Sequence, residues 1–77
     1  MIQTFKIGMN ERMTIDFKLS QIRLVKNNTN LEFINLNESE LSILVYWNER
    51  SLTELRKMAL IMVKEHKDRV RAIKNIC

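Results

Sequence analysis

The alternation of apolar and polar positions along the chain changes period near Leu36. Before that residue the period is two. Met13, Ile15, Phe17 and Leu19 alternate with Thr14, Asp16 and Lys18, the pattern of a strand with one face buried. Phe5, Ile7 and Met9 alternate in the same way, and Asn10-Glu11-Arg12 between the two runs has the length of a short hairpin loop. Ser20-Gln21 shifts the phase, so a bulge or tight turn is expected there. Asn27-Asn28-Thr29-Asn30 reads as a turn, because asparagine tolerates left-handed geometry and bonds its own backbone. Leu31 to Leu36 forms a further short strand. The expectation is an antiparallel meander of three or four strands over about residues 2–36.

After Leu36 the punctuation is that of helix caps. Asn37 with Glu40 three residues later resembles a capping box, with Leu36 and Leu41 placed as its hydrophobic staple. Ser51-Leu52-Thr53-Glu54 reads as the stronger box, each cap stabilising its helix by about 0.5–2 kcal/mol. Helices are expected over about 38–48 and 52–76, which makes the fold α+β. Leu41 to Trp47 also has the composition of a buried strand, and periodicity does not separate the two in so short a run; helix is the reading adopted.

The last segment has two readings. Leu52, Leu55, Ala59, Met62, His66, Ile73 and Ile76 share a heptad-like stripe interrupted at Arg69. One unbroken helix over 52–76 would be about 37 Å long. With a break near Val63 to Lys67, slightly favoured, the chain has a helix over 52–62 and a third over 68–76 capped by Asp68.

Composition narrows the possibilities. Seventy-seven residues make one small domain without a linker, and a chain this short buries only about 60% of its unfolded surface. Cys77 is the only cysteine, so neither an internal disulfide nor a cysteine-based zinc site can form, and no cofactor is expected. The longest apolar runs, Ile43 to Trp47 and Met58 to Val63, fall far short of the ~20 residues that span a bilayer. The N-terminus lacks the basic start and apolar block of a secretory signal. A cytoplasmic protein without a membrane partner is expected. The chain has no proline and is rich in Asn, Ile and Lys, a bias of AT-rich genomes. It suggests a phage or mobile element, and then the host cytoplasm.

Charge is the informative feature. Eight of the thirteen Lys and Arg residues lie between Arg50 and Lys74, against only Glu54, Glu65 and Asp68. A basic helical end on a neutral body suits an acidic partner, and nucleic acid is the commonest. Three stretches bear on this: Glu38-Ser39-Glu40-Leu41, Ser51-Leu52-Thr53-Glu54-Leu55, and Met58-Ala59 through Asp68-Arg69-Val70-Arg71-Ala72-Ile73-Lys74-Asn75-Ile76. Together, residues 38–76 resemble a tri-helical helix-turn-helix domain of the Myb-like or sigma-region kind. The resemblance implies that the third helix enters the major groove of duplex DNA. Arg69, Arg71 and Lys74 would then face bases or phosphates, and Lys64 and Lys67 would meet the backbone. Ser51-Leu52-Thr53-Glu54-Leu55-Arg56 also resembles the second helix of ribbon-helix-helix repressors, although that fold has no place for several preceding strands. Without either resemblance the same cations are a solvated helix face or a surface for an acidic protein.

The remaining candidates are weaker. Tyr46 and Trp47 read as core or interface aromatics. Phe5, Phe17 and Phe33 are expected in the core, and Lys18 and Arg23 are too few to make a nucleic-acid-binding sheet. His66 is a surface residue or a register-setting polar group in a dimer; Glu65 and Asp68 do not complete a catalytic triad with it, and no glycine-rich phosphate loop exists. The chain is not expected to be an enzyme. Met58 to Val63 is apolar around most of a helix, so it is central to the core or meets another subunit. A homodimer is expected, with Leu52, Leu55, Met58, Ala59 and Met62 at its interface. Two further readings stand beside DNA binding: an interaction module that docks its apolar helix on a partner protein, and a structural assembly subunit.

Overall fold

The computed structural model describes residues 1–28 and 30–76, with side chains described for 1–28 and 32–69. Four strands are followed by two helices: β1 (Ile2–Gly8), β2 (Glu11–Asp16), β3 (Gln21–Lys26), β4 (Asn30–Asn35), α1 (Glu38–Asn48) and α2 (Leu52–Ile76). The strands form one antiparallel sheet in the order β1-β2-β3-β4. The fold is therefore α+β, a meander followed by a helical pair.

The strand connections depend on residues that accept left-handed backbone. Asn10 has φ 61° in the β1–β2 turn, Asn27 and Asn28 have φ 54° and 58° after β3, and Ser20 has φ 53° before β3. The first loop is Met9-Asn10, so Glu11 and Arg12, expected in it, belong to β2. The pairing shifts between Lys6 and Gly8 to accommodate the turn.

β2 stops at Asp16 and not at Leu19, the point to which its alternation runs. The cause is the Asp16 carboxylate. Its Oδ1 accepts from the backbone N–H groups of Lys18 (3.1 Å) and Leu19 (3.0 Å), and its Oδ2 from Arg23 Nη2 (2.8 Å). An aspartate that bonds the next peptides offers the backbone an alternative to the ladder. Residues 17–20 therefore turn, which accounts for the phase shift at Ser20-Gln21.

Register decides which face is buried. Phe5 lies opposite Met13 and Met13 opposite Leu24, while Ile15 lies opposite Ile22 and Ile22 opposite Ile34. These residues face the helices and form the core with Leu36, Leu44, Leu55, Ala59, Met62 and Val63. Phe33, expected in the core, points the other way and is 57% exposed. Ile34 and Leu36 take the inward phase of the last strand, and a pleated strand puts the intervening residue on the opposite face. Phe5 and Phe17 are partly buried against the core.

α1 begins with a complete capping box. The Glu40 N–H donates to Asn37 Oδ1 (2.8 Å), and the Asn37 N–H donates to Glu40 Oε1 (3.1 Å). Ser51, which reads as the stronger box, caps α2 on one side only: the Glu54 N–H donates to Ser51 Oγ (3.3 Å). The Ser51 N–H is already committed to the Trp47 carbonyl (2.8 Å), because only Glu49 and Arg50 separate Asn48 from Ser51. α1 is also tied to β1, where Gln3 Nε2 donates to Asn48 Oδ1 (3.0 Å).

α2 is one helix of 25 residues. The break near Val63 to Lys67, and with it a separate third helix capped by Asp68, is not present. No glycine or proline interrupts the segment, and Met62, Val63 and half-buried His66 pack within it.

Candidate nucleic-acid interface

Helical geometry sorts the side chains of α2 into rows at alternating spacings of three and four. Leu55, Ala59, Met62 and His66 form the row turned towards the sheet and α1, with Leu52 exposed at its start. A second row runs through Lys57, Leu60, Lys64 and Lys67, and a third through Glu54, Met58, Ile61, Glu65 and Asp68. The lysine row and the acidic row run side by side, with Lys57 three residues after Glu54 and Asp68 four residues after Lys64.

The basic flank is wet. Lys57, Lys64 and Lys67 are exposed, and among the described residues Lys57 and Lys64 have no ion-pair partner. Lys67 Nζ lies 3.7 Å from Glu32 Oε2 of β4, with both side chains more than half exposed, a pairing that water and salt weaken. The flank borders a groove of about 410 Å³ between α2 and one corner of the sheet, floored by Ile7, Leu24, Leu60 and Val63. On its rim Lys26 pairs with Glu11 at 3.5 Å, so the groove carries less positive charge than the lysine row beside it.

Of the residues expected at nucleic acid, Lys64 and Lys67 share this row. Arg69 is exposed but follows His66 on the first row. The side chains of Arg71 and Lys74 lie outside the described set; in sequence they follow Lys64 and Lys67 by seven residues each. Lys57 was not among the expected residues. Its signal was the same heptad spacing, seven residues before Lys64.

The expected dimer surface divides differently. Leu55, Ala59 and Met62 are buried in the protein's own core, so they are not open to a second subunit. Met58 is partly buried, and Leu52 is exposed. The stripe from Leu55 to Met62 is apolar because it covers the sheet. Apolar surface is exposed instead on α1, at Ile43, Val45 and Tyr46. Tyr46 stacks edge-on against Trp47 at 5.0 Å, and the Arg50 guanidinium sits 3.8 Å over its ring.

His66 is not a bare surface residue. Its Nε2 lies 3.1 Å from Glu40 Oε2, and both side chains are largely buried between the helices. Among the described residues no three His, Cys, Asp or Glu side chains gather where they could hold a metal ion. No helix among them is long and apolar enough to cross a membrane. Compared with known protein families, characterised proteins and solved structures, the chain matches none of them.

Proposed function

We propose that this chain is a small DNA-binding regulatory protein that meets duplex DNA through the basic flank of α2. An exposed lysine row carries the reading: Lys57, Lys64 and Lys67 are exposed along α2, and among the described residues Lys57 and Lys64 have no ion-pair partner. A polyanion rewards a row of one sign, because each phosphate neutralised by a lysine releases condensed counterions. Under this reading the C-terminal part of the unbroken α2 takes the place in the major groove that the helix-turn-helix resemblance gives to a separate third helix. Arg69 is then directed to the bases and the lysine row to the backbone.

The test is fluorescence anisotropy of a mixed-sequence duplex at low and moderate salt. Wild-type protein is compared with a variant carrying Lys57→Gln, Lys64→Gln and Lys67→Gln. Salt-sensitive binding by the wild type, lost in the variant with a shallower salt dependence, supports the reading. Failure of the wild type to bind any duplex at low salt removes it.

One observation favours a second reading. Ile43 and Tyr46, three residues apart and so neighbours on the surface of α1, are both exposed, where they suit docking on a partner protein or a second copy of the chain. Ile43→Asp then abolishes function while the triple lysine variant retains it.

A further inference from the structure

We propose that the outer face of the sheet is a second nucleic-acid surface, one that takes a single strand and not a duplex. Both helices lie on the inner face, so the outer face is uncovered. One of its cross-strand rows runs Thr4, Thr14, Arg23, Phe33, and the next begins with Lys6 and Arg12. Among the described side chains of this face the only acid is Asp16. It is buried and already occupied by two turn N–H groups and Arg23. The face therefore offers cations, hydroxyls and one aromatic ring, with no free carboxylate.

Two features of this face work against the stability of the chain by itself. Lys6 and Arg12 lie directly opposite each other on β1 and β2, both exposed, and neither has an ion-pair partner among the described residues. Like charges directly opposite in an antiparallel pair repel. Phe33 presents most of its ring to water although Ile34 and Leu36 already fill the core beneath β4. Local conflicts of this kind gather where a binding surface is kept. A phosphate placed between Lys6 and Arg12 turns their repulsion into attraction, and an unpaired base laid on Phe33 covers its ring.

The spacing suits one strand. With neighbouring strands about 4.8 Å apart and a rise of about 3.4 Å per residue, Phe33 on β4 is roughly 14 Å from Thr4 in its own row and roughly 16 Å from the β1 position of Lys6. A few nucleotides bridge that distance. Stacking on an aromatic side chain requires a base free of its partner, which a duplex does not offer. The Gln21 and Asn35 amides on this face bond each other (3.2 Å), as do the Thr4 and Thr14 hydroxyls (3.3 Å), so binding should be tolerant of sequence. This surface lies across the sheet from the lysine row of α2 and does not depend on it.

The experiment titrates a fluorescein-labelled oligothymidylate, about twelve nucleotides long, and a duplex of equal length at low salt. The proteins are the wild type, Phe33→Leu, Phe33→Trp, a Lys6→Gln/Arg12→Gln double variant and the α2 triple-lysine variant. Far-UV circular dichroism verifies that each is folded; the substituted sheet residues are all exposed. Loss of one stacked base is expected to weaken the Phe33→Leu complex at least about fivefold, while Phe33→Trp binds as well as the wild type or better. The double variant should lower the salt dependence by about 0.7 per lost phosphate contact. The α2 variant should keep its single-strand binding. The proposal is overturned if the wild type does not bind the oligothymidylate. It is equally overturned if Phe33→Leu and the double variant bind as the wild type does, or if only the α2 variant loses binding.

Discussion

Glu40 divides its carboxylate between its own helix and the other one. Oε1 closes the cap of α1 on the Asn37 N–H, and Oε2 lies 3.1 Å from Nε2 of His66, on α2. A residue that reads locally as a cap therefore also sets how the two helices meet. Glu40→Ala should destabilise the protein by about 1–2 kcal/mol, through the lost cap and the buried imidazole left without its partner. Glu38→Ala, two residues away and exposed, should stay within about 0.5 kcal/mol. Urea unfolding compares them. A double-mutant cycle of Glu40→Ala with His66→Ala should depart from additivity by at least about 0.5 kcal/mol; strict additivity would remove the proposed link between the helices.

Asp16 holds the β2–β3 connection through three hydrogen bonds, two from the turn backbone and one from Arg23. Asp16→Ala should cost about 1–3 kcal/mol, because the turn N–H groups and a partly buried guanidinium lose their acceptor together. Asp16→Asn keeps one oxygen for the turn and should recover part of the loss. The comparison rests on denaturation midpoints, and equal losses for the two variants would show that only the charge matters.

Leu52 and Leu55 stand one turn apart on the same helix, yet the first is 51% exposed and the second 0%. Leu55→Ala should destabilise by about 2–5 kcal/mol, enough to unfold much of a domain this small, whereas Leu52→Ala should have little effect on folding. If sedimentation shows a dimer that Leu52→Ala dissociates, that exposed leucine belongs to its interface. A large loss of monomer stability in Leu52→Ala would contradict the burial described here.

Ser20 is the one non-asparagine residue with left-handed φ among the described residues. Side chains other than Asn, Asp and Gly resist that conformation. Ser20→Asn should therefore raise stability, by about 0.5 kcal/mol. A thermal midpoint that falls in the variant would show a role for the serine hydroxyl.

The meander and both helices are legible in the sequence because period-two alternation and helix caps are local signals. Asn37 and Ser51 mark both helix starts. What escapes is set by competition between local signals. In Leu31 to Leu36, both Leu31 with Phe33 and Ile34 with Leu36 make an apolar phase, and one strand can bury only one of them. The chain buries Ile34 and Leu36, the pair next to the start of α1, and so releases Phe33 to the surface. The alternation through Phe17 and Leu19 is overridden by an aspartate side chain that bonds the backbone ahead of it. The continuity of α2 is hidden because its apolar, basic and acidic rows overlap in sequence and separate only when wound on a helix. The same overlap conceals Lys57, and it makes Leu55, Ala59 and Met62 look available to a partner when the sheet already covers them.

The Trp47 carbonyl accepts from both Arg50 N–H (3.0 Å) and Ser51 N–H (2.8 Å), so the end of one helix and the start of the next share a single peptide group. A joint built this way has no slack. Adding a residue between Asn48 and Leu52 would separate the two bonds and swing α2 about its axis, moving the lysine row away from its place beside β4. Among the described residues the turn at Asn27-Asn28 is tied by the bond from the Asn27 N–H to the Asn10 carbonyl (2.8 Å), with no carbonyl shared between two elements, so length variation and inserted tags belong there.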